Sequence, residues 1–92
     1  MPAFAAIIEF TDDSELRQQT RPGHREYLRS LLDAGKIRMS GPWADDTGAM
    51  IVYQATDAAE AQALLDADPY RAAGVIANAR IKEWNIVMEA ER

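Results

Sequence analysis

The chain has 92 residues, too few for more than one core, so a single domain spanning residues 1–92 is expected. Its net charge of −5 argues against a nucleic-acid partner, which clustered Lys and Arg would hold, and no apolar run reaches the roughly 18 residues of a membrane span. It contains no cysteine, which excludes disulfides, thiolate nucleophiles and cysteine-based metal sites and fits a cytoplasmic protein.

The first predicted element is a strand over residues 3–10, and the early acid Glu9 favours this strand over a signal peptide. After a turn, the polar residues 14–20 predict a short helical turn. A separate helix is expected to begin at Pro22, because proline suits the first turn of a helix. An apolar face carries that helix to Gly35, which predicts its C-cap.

The second half of the chain predicts two strands, a helix and a last strand. The strands cover 36–40 and 49–55, and a turn-rich loop joins them. Asp57 and Glu60 match the capping box of a helix that stops near residue 68.

The last strand is expected over 75–88, with a bulge near 82–83 where the apolar parity switches. The resulting order β-α-β-β-α-β predicts an α+β, ferredoxin-like fold. Such a fold has an antiparallel sheet with two helices on one face.

His24 is the only histidine, the residue type best suited to acid–base chemistry near neutral pH. It shares a helix face with Tyr27 and should point toward the sheet, where a lone histidine is more often a core residue than a catalytic one. The helix start expected at Pro22 favours function, because unpaired N–H groups there attract anions. Arg21 adds positive charge, whereas Arg25 is interpreted as ordinary surface charge.

Asp68 follows the second predicted helix and has two interpretations. Before a proline, an aspartate commonly caps backbone N–H groups of a turn. In a ferredoxin-like fold, however, this loop and the first helix can meet at one end of the sheet. There Asp68 would orient His24 and stabilise its charged form, and the pair would act as a general acid or base. The residues alone leave both interpretations open.

A pocket could also include the end of the second strand and the segment after Asp68. Gly41 and Pro42 can form a plain turn or a pocket rim, and Tyr70 can cover a pocket or pack its loop. The chain has no glycine-rich phosphate loop, no G-x-S-x-G elbow and no second histidine for a metal site. Neither a cofactor nor a metal is therefore expected.

Several short motifs, taken in chain order, resemble the YCII-related (YciI-like) family over nearly the whole chain. They are RPGH at 21–24, Gly35, SGP at 40–42, DADPY at 66–70 and AGV at 73–75. The resemblance implies a ferredoxin-like protomer that pairs with a second copy in a dimeric α+β barrel, similar to muconolactone isomerase-like proteins. It also implies that His24 and Asp68 are the active pair. One branch of the family resembles a dehydrochlorinase that acts on chlorinated hydroxyquinols. The chain departs from the family at Gly23, where the family often has Ala. Glycine is the poorer helix former and weakens the start of the helix.

We therefore expect a homodimer that binds a small organic acid or hydroxylated aromatic and performs lyase, isomerase or dehydrochlorinase-like proton transfer. The predicted catalytic residues are His24 and Asp68. The predicted substrate-binding residues are Arg21, Ser40, Gly41, Pro42 and Tyr70. The alternative is a non-catalytic metabolite-binding or accessory domain of the same fold.

Overall fold

A computed structural model describes residues 1–90 of the chain. The elements in that range are β1 (Ala3–Phe10), α1 (Ser14–Asp33), β2 (Ile37–Pro42), β3 (Gly48–Gln54), α2 (Ala58–Asp66), α3 (Pro69–Ala72) and β4 (Ile76–Trp84). The strands form one antiparallel sheet in the order β2-β3-β1-β4. The predicted ferredoxin-like α+β fold is confirmed, with α3 as an additional short helix. Within the described range, no helix combines the length and apolar character needed to cross a membrane.

The hydrophobic core lies between the sheet and the helices. Phe4, Ile8 and Ile51 project from alternate positions of the central strands and belong to the same buried cluster as Leu31 of α1 and Leu65 of α2. Their spacing follows the two-residue period of strands and the three-to-four-residue period of a helix face. The intervening strand positions point to the opposite side of the sheet, which we call the open face.

The open face is rich in apolar side chains of the central strands. Register pairs place Ala5 opposite Val52, both buried, and Ile7 opposite Met50, both partly buried, on this face. At its margins lie Met39 of β2, Trp84 of β4 and the basic residues Arg80 and Lys82.

One continuous helix replaces the two segments predicted for residues 14–35. α1 begins after Asp13, whose side chain accepts a hydrogen bond from the Leu16 N–H (3.0 Å), and it runs through Pro22. Proline removes the bond to the Gln18 carbonyl, but both residues are exposed, so water can satisfy that carbonyl. His24 therefore lies inside the helix, and the predicted helix start with unpaired N–H groups beside it is wrong.

The predicted helix caps are confirmed. Gly35 adopts φ +75°, and its N–H donates to the Leu32 carbonyl at 3.1 Å, which ends α1. At the start of α2, Asp57 accepts the Glu60 N–H (2.8 Å) while Glu60 reaches back to the N–H of Thr56 (2.7 Å). The reciprocal cap thus extends one residue further upstream than a standard capping box.

β2 is longer than predicted, because Gly41 and Pro42 continue it and pair with Met50 and Ala49 of β3. β2 lies at the edge of the sheet, where the missing N–H of a proline is tolerated. This extension carries the predicted pocket residues along the strand instead of into a loop.

The end of β4 also differs from the prediction. The strand stops at Trp84, so the apolar parity switch at 82–83 marks the strand end and not a bulge. The bulge lies near the other end, where Glu9 pairs with Asn78 but the next residue, Phe10, pairs with Ile76. Residues 85–90 follow as irregular chain.

Candidate active site

Asp68 lies between α2 and α3 and is 1% exposed. It caps α3, since its Oδ1 accepts the backbone N–H of Tyr70 at 2.9 Å. The same carboxylate contacts His24, with Oδ1 and Oδ2 at 2.8 and 2.9 Å from the imidazole Nδ1. The two roles weighed for Asp68 therefore coexist. The predicted contact is present, and a catalytic role for the pair remains a prediction.

The contact with Asp68 determines which nitrogen of His24 faces a ligand. A carboxylate accepts hydrogen bonds, so the proton is assigned to Nδ1, which donates a hydrogen bond to Asp68. In the neutral imidazole, Nε2 is then the acceptor, and in the imidazolium it becomes a second donor. The side chain of His24 is 12% exposed and lines a cavity. Nε2 is therefore the atom suited to proton exchange with a bound molecule.

An aromatic stack supports the imidazole. The ring of Tyr70 lies parallel to that of His24, with centroids 3.8 Å apart, and Phe10 contacts Tyr70 edge-on at 5.7 Å. The guanidinium of Arg17 lies 4.8 Å from the centre of the Phe10 ring. These four side chains form what we call the stacked row, with Arg17 at one end and His24 at the other. Tyr70 is buried in this row, between the rings of His24 and Phe10.

A cavity of about 710 Å³ opens beside the stacked row. All five residues predicted to bind substrate line it: Arg21, Ser40, Gly41, Pro42 and Tyr70. The structure thus brings them together with His24, and their role in binding remains a prediction. Arg25, interpreted above as surface charge, is exposed but also lines the cavity.

The positive charge of the cavity comes from side chains and not from a helix end. Arg17, Arg21 and Arg25 recur every four residues along α1 and all line the cavity, whereas Asp46 is the only acidic residue of its lining in the described range. Arg17 has no place among the predicted site residues. The sequence feature that could have identified it is its spacing of seven residues from His24. This spacing indicates a shared helix face only when residues 14–33 form a single helix.

Two phenols, the buried Tyr53 and the partly buried Tyr27, lie within the influence of the Asp68 carboxylate. Burial is the main cause that raises the pKa of Tyr53 and of Tyr27, and the negative charge of Asp68 adds to the effect. The Tyr27 hydroxyl donates to the Leu64 carbonyl at 2.6 Å. Both phenols therefore stay neutral at pH 7 and leave the negative charge beside the imidazole on Asp68.

Residues 1–90 contain no group of three or more His, Cys, Asp or Glu side chains that could hold a metal ion. The basic groups that line the cavity are the imidazole of His24 and the three guanidinium groups of α1. This set suits an organic anion, because guanidinium groups bind carboxylate and other oxyanions through paired hydrogen bonds.

Two known proteins are similar to this chain in sequence. Protein YciI of Escherichia coli O6:H1 (strain CFT073) is 34% identical over an alignment of 86 residues, which covers 83% of this chain and 88% of that protein. The uncharacterized protein YjpA of Bacillus subtilis (strain 168) is 35% identical over 72 residues, 78% of this chain and 84% of the relative.

One solved structure is similar to this chain in fold. It is 5-chloro-2-hydroxyhydroquinone dehydrochlorinase (TftG) from Burkholderia phenoliruptrix AC1100 in complex with 2,5-dihydroxybenzoquinone, with a TM-score of 0.79 and 25% identity over 90% of this chain and 93% of that chain. The sequence profile of the YCII-related domain matches residues 3–85. The chain therefore belongs to the YCII-related family.

Proposed function

We propose that the chain is a small-molecule enzyme in which His24 and Asp68 form an acid–base pair. The observation that carries the proposal is the buried carboxylate of Asp68 held against Nδ1 of a histidine whose ring faces a cavity. In this proposal Nε2 takes a proton from the substrate or returns one to it. Asp68 keeps the imidazole oriented and stabilises the imidazolium that forms. Lyase, isomerase or dehydrochlorinase-like reactions can run on one such acid–base pair without a redox cofactor; in the dehydrochlorinase-like case the carbon–chlorine bond breaks and chloride leaves as the proton is transferred.

The proposed substrate is a small organic acid or a hydroxylated aromatic. Arg21 and its neighbours on α1 offer positive charge to an oxyanion, and Ile51 and Trp43 contribute apolar surface to the same cavity. The complex of the dehydrochlorinase relative with a dihydroxybenzoquinone supports a planar, oxygenated ring as the ligand.

The proposal includes a homodimer located in the cytoplasm. The small size of the chain and the apolar open face favour pairing with a second copy. The lack of cysteine favours a reducing compartment.

The test is turnover of 5-chloro-2-hydroxyhydroquinone and of a panel of hydroxylated aromatic acids by the purified chain. Loss of hydrogen chloride from the first compound is read as released chloride, with the proton leaving through His24. We expect turnover by the wild type and a loss of at least roughly hundredfold in His24→Ala. Gln19→Ala, an exposed position on the same helix, is the control and should keep full activity.

Two outcomes would contradict the enzyme proposal in different ways. Equal turnover by wild type and His24→Ala would remove the acid–base pair from the reaction. Binding of these compounds without turnover by the wild type would instead favour the alternative, a non-catalytic metabolite-binding or accessory domain.

A further inference from the structure

We propose that Asp46 is an internal counter-ion of Arg17 and that an anionic ligand displaces it. The inference rests on the proposed function in one respect, that the ligand is an anion. It adds Arg17 as the residue that binds the ligand's oxyanion, and Asp46 as a carboxylate of the same chain that competes with the ligand for Arg17. Neither Arg17 nor Asp46 belongs to the His24–Asp68 pair, so the inference concerns binding and not the proton transfer.

Arg17 is a buried cation in the wall of the cavity. Its Nη2 donates to Oδ2 of Asp46 at 2.6 Å, and its guanidinium carbon lies over the Phe10 ring. Its Nε is shielded from solvent and has no hydrogen-bond partner among residues 1–90. A guanidinium presents Nε and Nη donors as a planar fork that matches two oxygens of one anion. Asp46 contacts Nη2 and leaves Nε without a partner, so an anion that contacts both Nε and an Nη would satisfy Arg17 better.

The two partners differ in how easily they can leave the contact. The side chain of Asp46 is 53% exposed, whereas that of Arg17 is 8% exposed. A released Asp46 carboxylate regains water at once. Arg17 without an anion would be an unpaired buried charge, which destabilises a protein strongly. Release of Asp46 is therefore favourable only when another anion takes its place, and this couples the release to ligand binding.

The turn that carries Asp46 keeps its shape through its own hydrogen bonds. The Trp43 N–H donates to the Gly48 carbonyl, the Asp46 N–H donates to the Trp43 carbonyl, both at 2.9 Å, and Asp45 accepts two hydrogen bonds from Thr47. Asp46 has φ +62°, a left-handed conformation that Asn adopts as readily as Asp. Asp46→Asn should therefore remove the charge and leave the turn intact.

The position of Arg17 also narrows the ligand class. Arg17 and His24 lie at opposite ends of the stacked row. A planar organic anion, the ligand of the proposed function, would reach both by presenting its charged oxygens to Arg17 and the atom that exchanges a proton to His24. Its ring would lie along the stacked row.

The test measures binding of 2,5-dihydroxybenzoquinone, which is ionised at neutral pH, by isothermal titration calorimetry. We expect Asp46→Asn to bind it roughly five- to tenfold more tightly than the wild type, since a competing ion pair is gone. Asp45→Asn changes the net charge equally on the same turn but does not contact Arg17, and its affinity should change less than twofold. The double variant Arg17→Gln/Asp46→Asn should bind the compound no more tightly than the wild type.

Equal affinities of Asp46→Asn and Asp45→Asn would overturn the inference, and so would an undiminished gain in the double variant. Absence of measurable binding by both the wild type and Asp46→Asn would overturn it as well. The heat of binding does not require turnover. An enzyme that fails to turn over any substrate would therefore refute the acid–base proposal and leave this test informative. Conversely, full turnover by the wild type, with no gain of affinity in Asp46→Asn, would refute only the role of Asp46 as a displaceable counter-ion.

Discussion

A single carboxylate, that of Asp68, holds together the two parts of the site. It caps α3 through the N–H of Tyr70 and orients the imidazole of His24. The capped helix places the ring of Tyr70 against the same imidazole. His24 is therefore fixed by a hydrogen bond to Nδ1 and by a stacking contact on one face, and both depend on residues 68–70.

Asp68→Asn separates the two roles of this residue. An asparagine caps a helix almost as well as an aspartate, so the free energy of unfolding should change little. The neutral amide, however, no longer favours the proton on Nδ1 of His24. We expect ¹⁵N NMR of the imidazole to show a loss of the Nδ1–H tautomer, and roughly hundredfold lower kcat for any substrate of the wild type.

Asp66→Asn is the matched control for that variant. Asp66 lies two residues earlier, is exposed, and pairs with Arg71 at 3.5 Å instead of with His24. It should leave both the tautomer and kcat unchanged. An unchanged tautomer in Asp68→Asn would mean that Asp68 is a helix cap alone.

Tyr53 offers a second prediction at the residue scale, because its buried hydroxyl has no hydrogen-bond partner within residues 1–90. A buried polar group without a partner destabilises the native state. Tyr53→Phe removes the hydroxyl and keeps the ring, so we expect the free energy of unfolding in urea to rise by roughly 1 kcal/mol. A loss of stability of similar size would show that the hydroxyl is bonded in solution.

The raised pKa of Tyr53 also sets the pH range of its contribution. Burial, together with the charge of Asp68, favours the neutral phenol in the folded state. Because the folded pKa lies above the unfolded value of about 10, this group leaves the free energy of unfolding independent of pH below pH 10 and lowers it as the pH rises from there toward the folded pKa. The free energy of unfolding of Tyr53→Phe should therefore fall less steeply above pH 10 than that of the wild type.

At the scale of elements, the continuity of α1 determines the composition of the site. His24 and three arginines share one face only because the helix runs through Pro22. The following residue, Gly23, is a weak point of this helix, since glycine is unfavourable in a helix interior.

Gly23→Ala tests how far α1 tolerates a better helix former. An added Cβ would meet its nearest neighbour, Pro69 of α3, at 4.0 Å, which is ordinary contact. We expect the free energy of unfolding to rise by roughly 0.5–1 kcal/mol in urea denaturation. Gly35→Ala is the opposite control, because its φ of +75° strains any other residue and the variant should lose stability. A destabilised Gly23→Ala would show that α1 and α3 pack more closely than 4.0 Å.

Local signals in the sequence predict most of these elements. The cap residues Gly35 and Asp57 mark helix ends by their own chemistry, and the alternating strands indicate the sheet. Pro22 misleads because it is equally suited to a helix start, and only the surrounding packing and solvent allow the helix to continue through it. Arg17 is not predicted as a site residue for the same reason, because a helix that began at Pro22 would not include it.

The remaining differences depend on pairing between distant segments. The bulge in β4 arises from its register with β1, which β4 alone does not encode. The contact of His24 with Asp68 joins residues 44 positions apart, and it follows from the sequence only once the order of elements has suggested a ferredoxin-like fold.

At the scale of the whole molecule, the open face has the properties of an interface. Ile7 and Met50 lie at its centre and are only partly buried, while Met39 and Trp84 are 37% and 42% exposed. Exposed apolar surface of this kind on a small domain usually binds a partner.

We expect light scattering to give twice the 10.2 kDa mass of the chain at micromolar concentration. Met50→Glu places a charge at the centre of the open face and should shift the protein to monomers. Leu32→Glu, at a 50% exposed apolar residue of α1, is the control and should remain dimeric. A monomeric wild type would contradict the proposed dimer.

The distribution of the site over the fold has a consequence for how such a protein can diversify. His24 and Tyr70 lie on helices, Asp68 caps one, and none of the three is exposed, whereas part of the cavity rim, Trp43 to Asp46, belongs to an exposed hairpin turn. Surface turns accept substitutions and insertions far more readily than packed helices do. The turn can therefore change in length and charge, and with it the molecules admitted, while the proton-transfer machinery stays as it is. A library randomised over residues 43–47 should accordingly contain folded variants with altered ligand preference and an unchanged His24–Asp68 contact.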